Sequence, residues 1–376
     1  MNLPTTIGRP WRCDGTELSP NLLLMAKLLV LILIRGDVWE KLGDPFLPFL
    51  PAMDLLRSPE GWCALALRAG FAVGALAVMA NAWPEIGCLI LGSTVAGWQF
   101  AVTPEFRNHI FICGCLLILA GCHRNDSNPW LIRWQFFLLY AGAALNKLLQ
   151  PDWWSGQMLL TWLTQELPAA GFRHLSALIP ASSLALFLSW FTMIAEVVLA
   201  VCFWRKQSVR TAVWMVIALH GGMFVFLMGY RFGHFIEDIL VGLIAFLEWP
   251  RQPLELRATG ALRTLLARVL KISHPDAIVR LGDGPVAGNW LELHGLQTTK
   301  CNESALRTTL LLGSSLYLLL FTVDWLLEAF IGGKDAFRYL SVAAALALLC
   351  IVVPIRWPRS RCNCRATEGA ATGVGL

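Results

Sequence analysis

The sequence predicts an all-α integral membrane protein, a polytopic bundle of about eight to ten transmembrane helices with a small cytoplasmic α+β insert. Three observations predict it. Hydrophobic residues make up 56% of the chain and charged residues 15%, with a mean hydropathy of +0.59, a balance typical of membrane proteins rather than soluble domains. The apolar residues gather into runs near the ~20-residue length that a bilayer demands. Lys and Arg cluster beside those runs, where they act as topology signals.

Taken in order, the candidate spans are residues 18–35, 62–80, 86–103, 109–123, 131–149, 180–203, 211–230, 235–249, 306–330 and 339–356. The first seventeen residues are polar and lack a cleavable signal pattern, so 18–35 reads as a retained anchor. The fourth and eighth spans are short, as expected of tilted or re-entrant segments or of spans extended by their flanks. Arg205, Lys206 and Arg210 mark one inner loop, and Arg356, Arg359, Arg361 and Arg365 mark the tail. Excess positive charge belongs inside. Both termini are thereby placed in the cytoplasm, and the outer end of the fifth span falls on the same side as the start of the fourth. The resulting organisation is a membrane domain at 1–249, an insert at 250–305, two further helices within 306–357 and a basic, flexible tail at 358–376.

Within the insert, the stretch 254–271 places Ala258, Ala261, Leu262, Leu265, Leu266, Val269 and Leu270 at helical spacing, with Arg257, Arg263, Arg268 and Lys271 on the rest. This pattern predicts an amphipathic helix on the cytoplasmic membrane surface, drawn there by anionic head groups. Residues 277–295 read as two short strands about an Asp283-Gly284 turn.

Composition also excludes. The net charge of +5 is modest and its cations flank apolar runs, so the expected partners are membrane lipids and not nucleic acid. No GxxxxGK[ST] loop, strand-linked GxGxxG or GxSxG elbow is present. Of the eleven cysteines, Cys63, Cys88, Cys113, Cys115, Cys202 and Cys350 lie inside apolar runs and read as small hydrophobes. Cys362 and Cys364 form a fragment with no completing pair nearby, so no metal site is expected.

Chemistry is sought in the few polar residues of the spans, because ionisable groups in a bilayer are costly and mark function by default. Lys147 lies near the end of the apolar fifth span, in LLYAGAALNKLLQPDWWSG. Burial penalises the ammonium and favours the neutral amine, which is a base; alternatively the side chain snorkels to the interface beside Trp153 and Trp154. Glu196 is mid-span, too deep to snorkel, and must be protonated, paired with a cation or facing a wet cavity. His109, after Asn108, opens the fourth span, either interfacial or hydrogen-bonded to the fifth. His220 sits among apolar residues beside Gly221 and Gly222, where a bond to a neighbouring helix explains it equally well. Arg231 and His234 fit a solvated turn. Glu237 and Asp238 fall at a helix N-terminus, which favours carboxylates without any function.

Two stretches, FRNHIFICGCLLIL and LLYAGAALNKLLQPDWWSGQMLLTWL, resemble the membrane domain shared by vitamin K-dependent γ-carboxylases and the horizontally transferred transmembrane (HTTM) proteins. The pattern is carried by Asn108-His109, Tyr140-Ala141-Gly142, Lys147 and Asp152-Trp153-Trp154-Ser155-Gly156, with His220 in a later apolar helix. The resemblance implies a bacterial inner-membrane protein and a carboxylase-like, quinone-linked lyase acting on the outer face. Lys147 would be the base that deprotonates a reduced, vitamin K-like quinone, and His109 the catalytic residue that tunes it. Asn108, Tyr140, Trp153 and His220 would surround the cofactor, and a peptide or small protein would be the substrate. The large lumenal domain of the carboxylases has no counterpart here, where only 250–305 and two spans follow. The alternative is a non-catalytic lipid- or quinone-binding membrane protein that supports a partner in peptide maturation or transport.

Overall fold

The computed structural model describes residues 9–43, 47–49, 54, 61–123, 129–166, 169–226, 233–247, 249–250, 253–273, 278–283, 286, 289–295, 299–313, 315–319 and 321–323. Over these the chain is mostly α-helical with one small sheet. The helices begin with α1 (Pro20–Arg35), α2 (Val38–Lys41), α3 (Trp62–Met79), α4 (Pro84–Ala101), α5 (Asn108–Cys122) and α6 (Trp130–Leu149). The short α7 (Pro151–Trp154), α8 (Gln157–Thr161) and α9 (Ala170–Ser176) fill the predicted outer loop, ahead of α10 (Ala181–Trp204), α11 (Val209–Phe226) and α12 (Gly233–Gly242). Proline opens α1, α4 and α7, where its fixed φ suits the first turn and its missing N–H costs nothing.

Apolar on all sides, α1 is the central helix and is buried from Asn21 to Val30. It packs against α3, α5 and α12. Its mid-helix cation, Lys27, is fully buried, and the ammonium donates to the carbonyls of Pro10 and Arg12, each at 2.6 Å. Asn81, in the turn between α3 and α4, donates to Arg9 and Arg12 carbonyls at 3.1 Å. The segment before α1 is thus strapped across one end of the bundle by two buried side chains.

Helices α3, α4 and α5 pack through a seam of small residues. A Cβ on Gly74 would stand 2.7 Å from the Leu91 nitrogen, and one on Gly92 would stand 2.6 Å from the Gly114 oxygen. Only glycine admits backbones that close. Helices α6 and α10 form the other major pair and run antiparallel: Arg133 Nη1 donates to the Trp204 carbonyl at 3.2 Å at one end, and Ser189 Oγ donates to the Trp153 carbonyl at the other. Ile132, Phe136, Tyr140 and Ala144 form the buried i, i+4 row of α6.

Among the described residues, α3 and α10 are long and apolar enough to cross a membrane. On α10 the outward face carries Phe187, Trp190, Phe191, Ile194, Val198 and Val201, all exposed. The predicted ninth span is broken: Asn302–Leu310 and Ser315–Val323 lie 60° apart and would add one more crossing if they act together. The predicted tenth span and the tail lie outside the described residues.

The insert is α+β, as expected, with a different layout. Its elements are β1 (Leu254–Ala258), α13 (Gly260–Ser273), β2 (Val279–Leu281), β3 (Leu291–His294), β4 (Thr299–Cys301) and α14 (Asn302–Leu311). The strand order is β2-β1-β3-β4, with β1 parallel to β2 and antiparallel to β3. The helix predicted from 254 begins instead at Gly260, whose φ of +60° turns the chain. Leu254–Ala258 is a strand because Leu256 and Ala258 alternate into the core with period two. The two strands predicted about the turn at 283 are present as β2 and β3, but each pairs with β1 and not with the other.

Candidate functional site

The α6–α10 interface positions the site. Along α10 the buried positions Ala185, Ser189, Met193, Glu196, Ala200 and Phe203 recur at intervals of three and four, so Glu196 faces α6 from within an apolar stripe. Glu196 stands eight residues short of Trp204 and fifteen beyond Ala181, about 12 Å and 22 Å along the helix. The Lys147 ammonium reaches it there: Nζ lies 2.8 Å from Glu196 Oε1, with side-chain exposures of 16% and 11%. Of the three states open to Glu196 on sequence grounds, the structure has pairing with a cation.

Lys147 therefore points along the bundle to a carboxylate, and it does so beneath an aromatic cover. Its Nζ lies 4.9 Å from the centroid of the Trp153 ring, a cation–π contact. Trp153 is buried with Leu159, Leu163, Phe172, Leu184 and Met193, so α7, α8 and α9 form an apolar cap over this end of α10. At Gly156, with φ of +73°, the cap approaches α10 so closely that a Cβ would sit 2.6 Å from the Leu186 Cα.

Two turns back from Lys147 on the same helix, Tyr140 is buried, and its hydroxyl meets His220 Nε2 of α11 at 2.9 Å. Phe203 stacks on the Tyr140 ring at 5.9 Å, and Phe235 stands edge-on to His220 at 5.6 Å. Glu196 is close enough for its charge to act on the Tyr140 hydroxyl. Helices α6, α7, α10 and α11 thus bring Lys147, Glu196, Tyr140, His220 and Trp153 into one region. Two polar atoms there have no partner among the described residues: Glu196 Oε2 and His220 Nδ1. Buried polar atoms are almost always satisfied, so the pair marks a place where a ligand's polar atoms or water would complete the bonding.

The other predicted site residues lie at the start of α5. Asn108 is exposed and His109 half-buried, and the cations whose fields reach His109 are Arg107 and Lys41. Helix α5 meets α6 around Ile112 and Leu116: Gln135 donates to the Ile112 carbonyl at 3.2 Å, and Leu116 and Phe136 converge on Gly242. Lys147 stands about three turns further along α6. The structure groups Lys147 with Glu196 and Trp153, and His109 with Arg107 and Lys41.

A second polar cluster joins α1, α5 and α12. Arg35 Nη2 pairs with Glu237 Oε2 at 2.9 Å, both nearly buried, and Asp238 is buried facing the Cys113 thiol, with neither carboxyl oxygen bonded to an N–H or O–H group. The helix terminus alone does not account for these acids. Sequence reasoning also passed over Lys27, although it carries the signal that singled out Lys147, one lysine in an apolar run. The side chains of Arg231 and His234, and Cys362 with Cys364, lie outside the described residues. Among the described residues no three His, Cys, Asp or Glu side chains gather as a metal ion would require. No family model, curated protein or solved structure matches this chain.

Proposed function

We propose that the chain is a polytopic inner-membrane protein of bacterial type, with both termini cytoplasmic, whose α6–α10–α11 interface binds a quinone-sized ligand and removes a proton from it. The observation that carries this reading is the Lys147–Glu196 pair, an exchangeable proton held across 2.8 Å inside an apolar stripe. The outward apolar face of α10 supports the membrane setting, since water-exposed patches of that size are rare on soluble monomers. The resemblance of the Lys147 and Asn108-His109 motifs to the HTTM and γ-carboxylase membrane domain supports the ligand class. A quinone fits the residues present: Glu196 Oε2 and His220 Nδ1 are open polar atoms in otherwise apolar surroundings, and two oxygens on a flat apolar body would match them. When bound, such a group supplies redox chemistry and an acidic hydroxyl.

The protein's part is the proton. Transfer from Lys147 Nζ to Glu196 Oε1 leaves a neutral amine, which then accepts a proton from the ligand hydroxyl. The pair passes from net zero to +1 while the ligand oxygen becomes −1. Charge is balanced inside the site, where a lone charge would be costly. Trp153 and the cap exclude water, and Tyr140 with His220 supplies a second hydrogen-bonding edge. The proton acceptor is thereby a pair and not a lysine alone.

The test uses purified protein in detergent and a reduced naphthoquinone whose anion absorbs at longer wavelength than its neutral form. Binding should shift the absorbance to that of the anion in the native chain, and the shift should vanish in Glu196→Gln and Lys147→Ala. Tight binding with the neutral spectrum in all three proteins would favour the second reading, a quinone-binding protein without chemistry, in which the ion pair only fixes the α6–α10 contact. Absence of binding would remove both.

A further inference from the structure

Apart from this site, a groove enclosing about 510 Å³ runs between the bundle and the insert. Trp11, Leu31 and Met79 form one wall; Ile272, Leu318 and Leu319 form the other. The hydroxyls that line it are already satisfied, Ser315 donating to the Ile272 carbonyl and Thr322 to the Leu318 carbonyl. What remains is apolar wall and one cation, Lys271, which is exposed and without an ion pair among the described residues. No acidic side chain lines the groove among the described residues.

Helix α13 explains why this groove opens where it does. One of its faces, with Leu266 and Leu270, is buried in the core of the sheet. A second apolar row, Leu265, Val269 and Ile272, follows i, i+4, i+7 spacing and is exposed. Arg268 and Lys271, both exposed, flank that second row on the side away from the sheet. The other two cations that sequence placed on this helix are engaged elsewhere: Arg257 with Glu255 on β1, and Arg263 with Asp283. A helix needs one apolar face to fold against its own sheet. A second apolar face bordered by cations that have no ion pair among the described residues matches a surface that is apolar beneath and anionic above, as a phospholipid leaflet is.

We propose that one anionic phospholipid occupies this groove, its phosphate at Lys271 and an acyl chain along Leu31, Leu318 and Leu319, while Leu265, Val269 and Ile272 seat α13 in the same leaflet. The groove's Ile272 belongs to the exposed row, so a single lipid would bridge insert and bundle. The phosphate group is the recognised chemistry, and the groove's length of apolar wall assigns it to a lipid and not to a free anion. This inference is independent of the chemistry at Lys147.

The experiment is native mass spectrometry of the full chain in detergent with added dioleoyl phosphatidylglycerol or dioleoyl phosphatidylcholine, and with inorganic phosphate as competitor. The native protein should retain one phosphatidylglycerol in preference to phosphatidylcholine. Lys271→Gln should reduce that retention by about fivefold, the factor of one basic residue near an anionic surface, and Lys271→Arg should restore it. Leu319→Trp, which fills the groove and keeps the cation, should also lose the lipid. Equal retention of both lipids, indifference to Lys271→Gln, or displacement by inorganic phosphate would overturn the proposal. So would a disulfide between Leu319→Cys and a cysteine placed in 339–356 in protein holding no lipid, because the chain itself would then cover the groove.

Discussion

The Lys147 ammonium and the Glu196 carboxylate, 49 positions apart in sequence, meet at 2.8 Å with both side chains mostly shielded from solvent. Each explains the other. A buried carboxylate and a buried ammonium are individually expensive, and together they satisfy one another at a cost in desolvation that a pair of apolar residues would not incur.

Breaking the pair on one side should therefore hurt more than removing both. Lys147→Met or Glu196→Leu alone should cost about 3–5 kcal/mol, while the double variant should recover most of the loss. Thermal melts in detergent across the four proteins measure it, and additive losses would show that the two groups do not depend on one another. Lys147→Arg should keep the stability but lose the spectral shift described above, because a guanidinium does not release its proton.

Tyr140→Phe removes the hydroxyl bonded to His220 Nε2 and, among the described residues, leaves both ring nitrogens unsatisfied in an apolar surrounding. The expected loss is about 1–3 kcal/mol. Adding His220→Leu should return part of it. A double variant less stable than Tyr140→Phe would mean that His220 has another role in holding α11.

The α3–α4–α5 seam makes a sharper contrast. Gly92→Ala places a Cβ 2.6 Å from the Gly114 oxygen, a backbone atom that cannot step aside, and should cost about 1–3 kcal/mol. Gly97→Ala, on the same helix with nothing within 4 Å, should be neutral or gain about 0.5–1 kcal/mol from helix propensity. Melting both variants decides it, and equal effects would contradict the close packing.

In the insert, the hydrogen bond from Arg257 holds the Glu255 carboxyl below the usual carboxylate range. Its folded-state pKa is depressed, so its contribution is present above the unfolded value and is lost as pH falls through the folded one. Hydrogen-exchange protection at β1, with the intrinsic pH dependence of exchange divided out, should fall on acidification in the native chain. Arg257→Gln should flatten that dependence, and an unchanged acid response in the variant would assign the effect to other groups.

What the sequence disclosed and what it withheld divide along physical lines. Helix positions were legible because long apolar runs admit few alternatives: the predicted 131–149 and 180–203 match α6 and α10 within a residue or so. That Glu196 must be protonated, paired with a cation or facing a wet cavity was legible from burial cost alone. That it is paired, and with Lys147, was not, because the pairing depends on how two antiparallel helices lie in register. The strand at Leu254–Ala258 was hidden by apolar residues that fit two periods at once over five positions, until Gly260 broke the tie. Asp238 read as a carboxylate favoured by a helix N-terminus, and it is buried, since α12 packs there against α5.

The strap formed by Arg9, Pro10 and Arg12 across Lys27 and Asn81 bears on how the molecule is made. Residues 9–12 leave the ribosome before α1 does, so the carbonyls that accept from Lys27 are already present when that helix forms. Asn81 arrives only after α3 and closes over the same segment. A chain trimmed ahead of Asp14 would leave the Lys27 ammonium, in the middle of an apolar helix, without the two carbonyls that accept from it.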